Sequence, residues 1–279
     1  MLPITFKAYG KINLYLAVGE KRNDGFHEVE TVMQKATVYD TITISESKEK
    51  GVQLISNGKD FPCDSTNLIY RAIEMLHNSM GSPLNSLNHG YTVTVEKRIP
   101  IAGGMGGGSA DAGYTLKHMN RALGSPLTTD ELWEIAASLG SDVPFFIHES
   151  DAMLATGRGE ILTECPSLPP CRMEFRSCGK KPSTGAMFAE LDRIRNSSPE
   201  ATAPDIKNIL DALKRGNLQE ICNNTYNSFE EVFKAQSPEY SEEFDRIAKE
   251  FKDQGALCVL LCGSGPTVCA IFDDTSNER

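Results

Sequence analysis

At 279 residues, 40% hydrophobic and 24% charged, the chain has enough apolar material for one large core or two lobes and reads as an ordinary globular protein. A formal net charge of −10 excludes a general nucleic-acid or acidic-membrane binder, because both need a basic footprint. Apolar runs such as 256–262 are far too short to span a bilayer, and the N-terminal stretch carries Lys7 and Lys11 without an export signal. The eight cysteines form no C-x-x-C pair and join no His cluster, so thiols in a reducing cytoplasm are expected rather than a zinc site.

In chain order, alternating apolar and polar residues predict strands at 12–16, 41–44 and 91–95. Between the last two, 67–76 places Leu68, Ala72, Met75 and Leu76 on one helical face. After a glycine-rich loop, 109–123 does the same with Ala112, Leu116, Met119 and Leu123. Thr128-x-x-Glu131 is a capping box opening a further helix, which Gly140 ends. From about residue 152 the pattern restarts with short strands and a Pro-rich bend at 166–170, then helices at 205–215 and 240–254. A strand at 256–261, a turn at 263–266 and a strand at 268–272 follow. The pattern is α+β in two lobes, 1–152 and 153–279, with the weakest spots for order at 45–50 and 197–203.

The strongest local signal is the loop from Pro100 to Ala112, where Gly103, Gly104, Gly106, Gly107 and Gly108 fill five of six positions between a strand and a helix. Such a backbone turns tightly and aims several N–H groups at one point, and a helix N-terminus there favours phosphate. Two common phosphate motifs fail. Ser109 stands where G-x-x-x-x-G-K-[ST] needs lysine, and G-x-G-x-x-G would need glycine at the same position. Three further segments are ambiguous alone. Lys11 enters a strand and reads as a surface charge. Asp142, before Val143-Pro144-Phe145-Phe146, reads as a helix cap. Cys262-Gly263-Ser264-Gly265-Pro266 reads as a hairpin turn.

In this order and spacing the four segments resemble the GHMP kinase superfamily, and the resemblance covers nearly the whole chain. Arg22-Asn23-Asp24-Gly25-Phe26-His27, with 66–69, 157–160 and 183–188, is similar to the branch whose substrate is a cytidine-diphosphate-linked sugar alcohol. The resemblance implies a two-lobed fold, with a ribosomal-protein-S5-like ATP-binding lobe followed by a ferredoxin-like lobe. It also implies transfer of the ATP γ-phosphoryl group to a substrate hydroxyl, with Asp142 as the base and Lys11 beside it. Gly103 to Ser109 would wrap the ATP phosphates, Ser109 would reach Mg²⁺, and Asn67 and Lys97 would lie near the nucleobase of ATP. Phe26 and Phe188 would sandwich the cytosine ring while His27 bonds its edge. His77, His89, His118 and His148 have no such context and read as structural.

Other readings are a homoserine, mevalonate or sugar kinase of the same superfamily, or a protein of this fold that binds ligand without catalysis. The first lacks a base for the two phenylalanines to stack on, and the second leaves Lys11, Asp142 and the loop unused. The chain departs from the superfamily pattern in having Tyr9-Gly10 before Lys11 and Cys262 before Gly263. The second lobe is also expected to lack its last helix, since Thr275-x-x-Glu278 reads as a capping box just before the sequence stops at Arg279.

Overall fold

The capping signals and the two hydrophobic periods are realised in a computed structural model that describes residues 2–180, 183–197 and 203–273. The expected weak segment at 197–203 falls largely outside these residues, as does the capping box at 275–278. The chain divides into two units that interleave along the sequence. One holds the chain up to Gly10, Val38–Ile101 and Gly106–Glu149. The other holds Lys11–Thr37, Ala102–Met105 and the chain from Ser150 onward. Two long strands, β1 (Ile4–Lys21) and β2 (His27–Ser47), contribute to each.

In the first unit, β3 (Gly51–Ser56), helix α1 (Leu68–Ser79) and β4 (Gly90–Glu96) precede α2 (Gly107–Ala122), α3 (Thr129–Leu139) and α4 (Val143–Ile147). The strand β4 runs antiparallel to β2, with Thr41 opposite Glu96, and parallel to β3, with Gly51 opposite Gly90. Ile42, Ile44, Val93 and Val95 are buried at alternate positions while Thr94 faces solvent, the period of a sheet with one covered face. Pairing continues to Ser47, so the 45–50 segment is ordered further than its composition suggests, because backbone bonds to β4 override its weak propensity. Asn67 caps α1 by accepting from the Ile69 amide at 2.8 Å, and Ile69, Ala72, Ile73 and Leu76 form its buried stripe. The capping box of α3 is complete, with Glu131 accepting from the Thr128 amide at 2.8 Å. The central helix α2 packs on α1, α3 and α4 and is buried almost all round. A Cβ on its Gly113 would lie 2.7 Å from Phe146 Cβ, so glycine lets α4 approach closely.

In the second unit come β5 (Ala152–Thr156), β6 (Ile161–Glu164), β7 (Cys171–Ser177) and α5 (Thr184–Ser197). Then follow α6 (Lys207–Arg215), α7 (Leu218–Asn223), β8 (Tyr226–Asn227), α8 (Ser228–Ala235), α9 (Pro238–Asp253), β9 (Cys258–Leu261) and β10 (Thr267–Asp273). The strand β10 lies between β7 and β9, antiparallel to both. The strand β5 pairs with β2, Thr31 opposite Ala155, and with β6. Met187, Leu191, Phe229, Phe233, Phe244, Phe251, Val268 and Ala270 build one apolar core under the three-stranded sheet. Among the described residues no helix is long and apolar enough to cross a membrane.

Candidate functional site

Two glycine turns that look independent in the sequence meet in the second unit. Gly104 has φ +81, and a Cβ there would lie 2.0 Å from the Cys262 carbonyl oxygen and 2.9 Å from that of Gly265. Gly263 answers with φ +51 and no room for a Cβ, which would stand 2.7 Å from the Gly104 oxygen. The backbones touch directly, so neither position accepts a side chain. Hydrogen bonds tie the same segments. The Thr267 amide donates to the Gly103 carbonyl at 3.2 Å, and the Lys11 amide donates to the Met105 carbonyl at 2.9 Å.

Lys11 is 6% exposed, far from the surface charge that its sequence context alone suggested. Its Nζ donates to Asn13 Oδ1 at 2.7 Å, and the Asn13 amide donates to Thr31 Oγ1 at 2.8 Å. A Cβ on Gly263 would come within 3.5 Å of Nζ. The ammonium is thus presented next to the second glycine turn. Cys262, fully buried there, has its thiol pushed up to about 12 by burial, against the pull of Lys11.

In the first unit, Gly106 adopts the left-handed conformation (φ +66) at the N-cap of α2, and Gly107, Gly108 and Ser109 form the first turn. No acidic side chain occupies that turn, so its amide donors are available to an anion. Lys97 is gathered towards it, and so is Leu68, the residue after Asn67. Lys97 Nζ lies 3.5 Å from where a Gly107 Cβ would be, and Leu68, next to Asn67, is 3.9 Å from the same point on Gly108. Asn67 also donates to the Pro62 carbonyl at 2.7 Å, so its amide is committed to the local turn as well as to the α1 cap.

Lys97 is itself bound within a buried cluster. It pairs with Asp40 and, at 2.8 Å, with Asp111 Oδ2. Asp40 Oδ1 also accepts from the amides of Arg98 and Ile99, at 2.6 and 2.9 Å. Asp111 is less well served, with Oδ1 buried and unpartnered. Burial pushes the Asp111 carboxyl up to about 8 against the pull of Lys97. Burial opposes the charge on Lys97 too, but Asp111 and Asp40 outweigh it and its pKa is raised.

Asp142 occupies the N-cap position of α4, yet its carboxylate makes no capping hydrogen bond, and Pro144 stands in the first turn with no amide to satisfy. The ordinary reason for an aspartate here, capping, does not apply.

At the start of β2, His27 is buried and its Nε2 lies 2.8 Å from Asp192 Oδ1 on α5. Phe188, one helical turn before Asp192, stacks on the imidazole with centroids 4.9 Å apart and meets Phe229 edge-on. Phe188 and His27 are therefore brought together. Phe26 is 54% exposed, with the Arg158 guanidinium 4.9 Å above its ring. The other histidines have structural partners. His77 bonds the Tyr91 hydroxyl at 2.9 Å, His118 stacks on Phe6, His89 packs on Tyr91, and His148 packs on Trp133. Asn13, Thr31, Asp40, Asp111 and Asp192 escaped sequence reading. Only Asn13 had a local signal, two residues from Lys11 and so on the same face of a strand.

The mixed α+β units and the glycine turn at a helix N-terminus define the class, the GHMP kinases. The family model described as GHMP kinases N terminal domain matches residues 67–150, and that described as GHMP kinases C terminal matches 209–279. The chain is 37% identical to a 4-diphosphocytidyl-2-C-methyl-D-erythritol kinase of Geobacillus sp. (strain WCH70), over 97% of this chain and 88% of the relative. It is 36% identical to one from Bacillus cytotoxicus, over 99% and 90%. A solved 4-(cytidine 5'-diphospho)-2C-methyl-D-erythritol kinase superposes with a TM-score of 0.75 at 28% identity, covering 96% of this chain and 90% of that one. The chain belongs to the 4-diphosphocytidyl-2-C-methyl-D-erythritol kinase family of GHMP kinases, which are ATP-dependent phosphotransferases.

Proposed function

We propose that this chain transfers the γ-phosphoryl group of ATP to the 2-hydroxyl of 4-diphosphocytidyl-2-C-methyl-D-erythritol, in the non-mevalonate route to isoprenoid precursors, and that it does so in the cytoplasm. The observation that carries the reading is 37% identity to kinases of that name along 97% of the chain. The substrate oxygen forms a bond to the γ-phosphorus as the bond to the bridging oxygen breaks, and ADP leaves. Because such a transition state is loose, the hydroxyl proton departs late, and a carboxylate of ordinary basicity suffices to orient it and then accept it. Asp142, whose carboxylate does not cap its helix, takes this role. Lys11, held by Asn13, places positive charge where the transferring group gathers negative charge.

Gly103, Gly104, Gly106, Gly107 and Gly108 with Ser109 surround the ATP phosphates, and the amides opening α2 supply the donors. Asn67 and Lys97 stand on the side of the nucleobase. Mg²⁺, when bound with ATP, neutralises the β- and γ-oxygens. The donor set suits this arrangement. The Ser109 hydroxyl, in the first turn of α2, would be the protein's ligand, with phosphate oxygens and water supplying the rest. Phe26, His27 and Phe188 receive the cytosine.

The test is ADP release with ATP, Mg²⁺ and the cytidylyl substrate, by wild type and Asp142→Asn. The wild type is expected to release ADP only with that substrate, and the variant to fall about a hundredfold or more. Turnover of homoserine or mevalonate in its place would keep the kinase class and overturn the substrate.

A further inference from the structure

The geometry points to Asp192 as the positioning residue that decides which ring nitrogen of His27 carries the proton, and through it the preference for an aminopyrimidine over an oxopyrimidine base. This rests on the reading of His27 as the residue that meets the edge of the cytosine.

A carboxylate oxygen has only lone pairs to offer, so at 2.8 Å from Asp192 Oδ1 the Nε2 of His27 must bear hydrogen. In the neutral imidazole the other nitrogen, Nδ1, is then an acceptor. The orientation is constrained twice from one helix. Phe188 and Asp192 are four residues apart on α5 and so lie on one face. Phe188 holds the plane of the ring by stacking at 4.9 Å and 22°. Asp192 holds its rotation within that plane, since turning the ring over would set the Cε1 carbon, and no N–H, against the carboxylate. The imidazole side chain is 7% exposed, so water does not readily replace the lost partner.

An acceptor at Nδ1 discriminates between the pyrimidines by chemistry alone. Cytosine carries an amino group at C4, which donates, and uracil carries a carbonyl there, which accepts. The first makes a hydrogen bond with Nδ1, and the second brings two lone pairs together. A site that leaves a polar group unpaired rejects the wrong ligand far more strongly than one that merely fits it less well. Asp192 touches no substrate in this account and acts only through His27.

The experiment titrates wild type, Asp192→Ala and Asp192→Glu with CDP and with UDP by calorimetry. Alongside it, ¹⁵N spectra of the histidine rings are recorded, with His27 assigned from a His27→Gln variant. Asp192 is 32% exposed, so its removal is expected to leave the fold intact, which thermal unfolding checks. The wild type should prefer CDP and show His27 protonated at Nε2. Asp192→Ala should lose about tenfold of that preference, the worth of one hydrogen bond, and show mixed tautomers. KM for the cytidylyl substrate should rise with kcat little changed, and Asp192→Glu should restore part of both. A CDP preference that survives Asp192→Ala, or an unchanged ring spectrum, would overturn the role of Asp192 and leave the base site standing. A wild type with no preference for CDP over UDP would overturn the reading of His27 itself, and the proposal with it.

Discussion

Asn13 and Thr31 meet in one orientation only. Thr31 gives its hydroxyl hydrogen to the Tyr15 carbonyl at 2.6 Å, so its oxygen has only lone pairs left, and the Asn13 Nδ2 at 2.8 Å must be the donor. That leaves Asn13 Oδ1 directed at Lys11 Nζ, 2.7 Å away. All three side chains are buried, so the polarity of the chain is set by the backbone carbonyl at its far end. The ammonium, which offers only donors, and the Thr31 hydroxyl thus demand the same orientation, and together they fix the Asn13 oxygen against Lys11.

Removing that hydroxyl should therefore act on catalysis through Lys11. Thr31→Val keeps the shape and leaves the Asn13 amide without its acceptor, at a cost of about 1–3 kcal/mol in stability. The Asn13 side chain then loses the anchor that holds its Oδ1 against the ammonium, and kcat for ADP release should fall about tenfold as Lys11 is placed less firmly. Thr31→Ser, which keeps the oxygen, should stay close to wild type in both measurements. Equal activity in Thr31→Val and Thr31→Ser would show that the chain does not position Lys11.

The junction of the two glycine turns gives a steric prediction. Gly104→Ala forces a Cβ to within 2.0 Å of a carbonyl oxygen at a position with φ +81, and backbone rather than a flexible side chain must move. Its destabilisation should be on the order of 3 kcal/mol or more. Gly124→Ala is the control, with φ +89 and nothing within 4 Å of the added carbon. It should cost only the left-handed conformation itself, about 1–2 kcal/mol. Urea unfolding of the two variants, with equal losses, would contradict the close approach.

What the sequence makes legible here is what is local. Thr128 and Glu131 announce α3 because both halves of the capping box lie within four residues, and the apolar stripe from Leu68 to Leu76 announces α1 by its period. The strand β8 is only Tyr226 and Asn227, and it exists because they pair with Tyr15 and Leu16, more than two hundred residues earlier. The helix α4 is five residues long, too short for a period to show. In the candidate site only the glycines stand out by type and spacing, while Lys11, Asp142 and His27 stand out through the resemblance of their segments to a kinase superfamily. Their partners Thr31, Asp40 and Asp192 do not, since each is an ordinary polar residue whose meaning depends on what the fold places against it. The burial of Lys11 follows the same rule: a lysine before a strand is a surface charge until an asparagine and a glycine turn enclose it.

A pH prediction follows from His118, which lies flat on Phe6 with centroids 4.3 Å apart. Burial lowers its pKa to about 4, and Arg121 and Lys117 push in the same direction. A folded pKa below the unfolded value means that the unfolded chain binds the proton more tightly. The contribution to stability is therefore complete above about pH 6.5 and is lost as the pH falls towards 4. His118→Phe keeps a ring on Phe6 and removes the titration. Relative to wild type it should gain about 2 kcal/mol between pH 7 and pH 4.5, measured by urea unfolding at each pH. A constant difference across that range would mean that His118 titrates normally.

Lys97 should show two losses that a second substitution separates. It stands beside Gly107 at the opening of α2, and it also compensates two buried carboxylates. Lys97→Met leaves the buried Asp40 carboxylate without its cation, beside an Asp111 carboxyl that at about 8 holds its proton through the neutral range, which should destabilise the fold by about 3 kcal/mol. Of the two acids, Asp111 is the one to neutralise, because Asp40 retains the amides of Arg98 and Ile99, while burial and the neighbouring Asp40 hold the Asp111 carboxyl up and its Oδ1 has no hydrogen-bond partner among the described residues. Adding Asp111→Asn to Lys97→Met should therefore recover stability at high pH, where Asp111 would otherwise carry a charge, and change little near pH 7. It should not recover ATP affinity if the ammonium also serves the nucleotide, because the double variant still lacks that charge. Thermal unfolding and ATP titration of the single and double variants read the two effects independently. Full recovery of ATP binding in the double variant would confine Lys97 to holding the two aspartates.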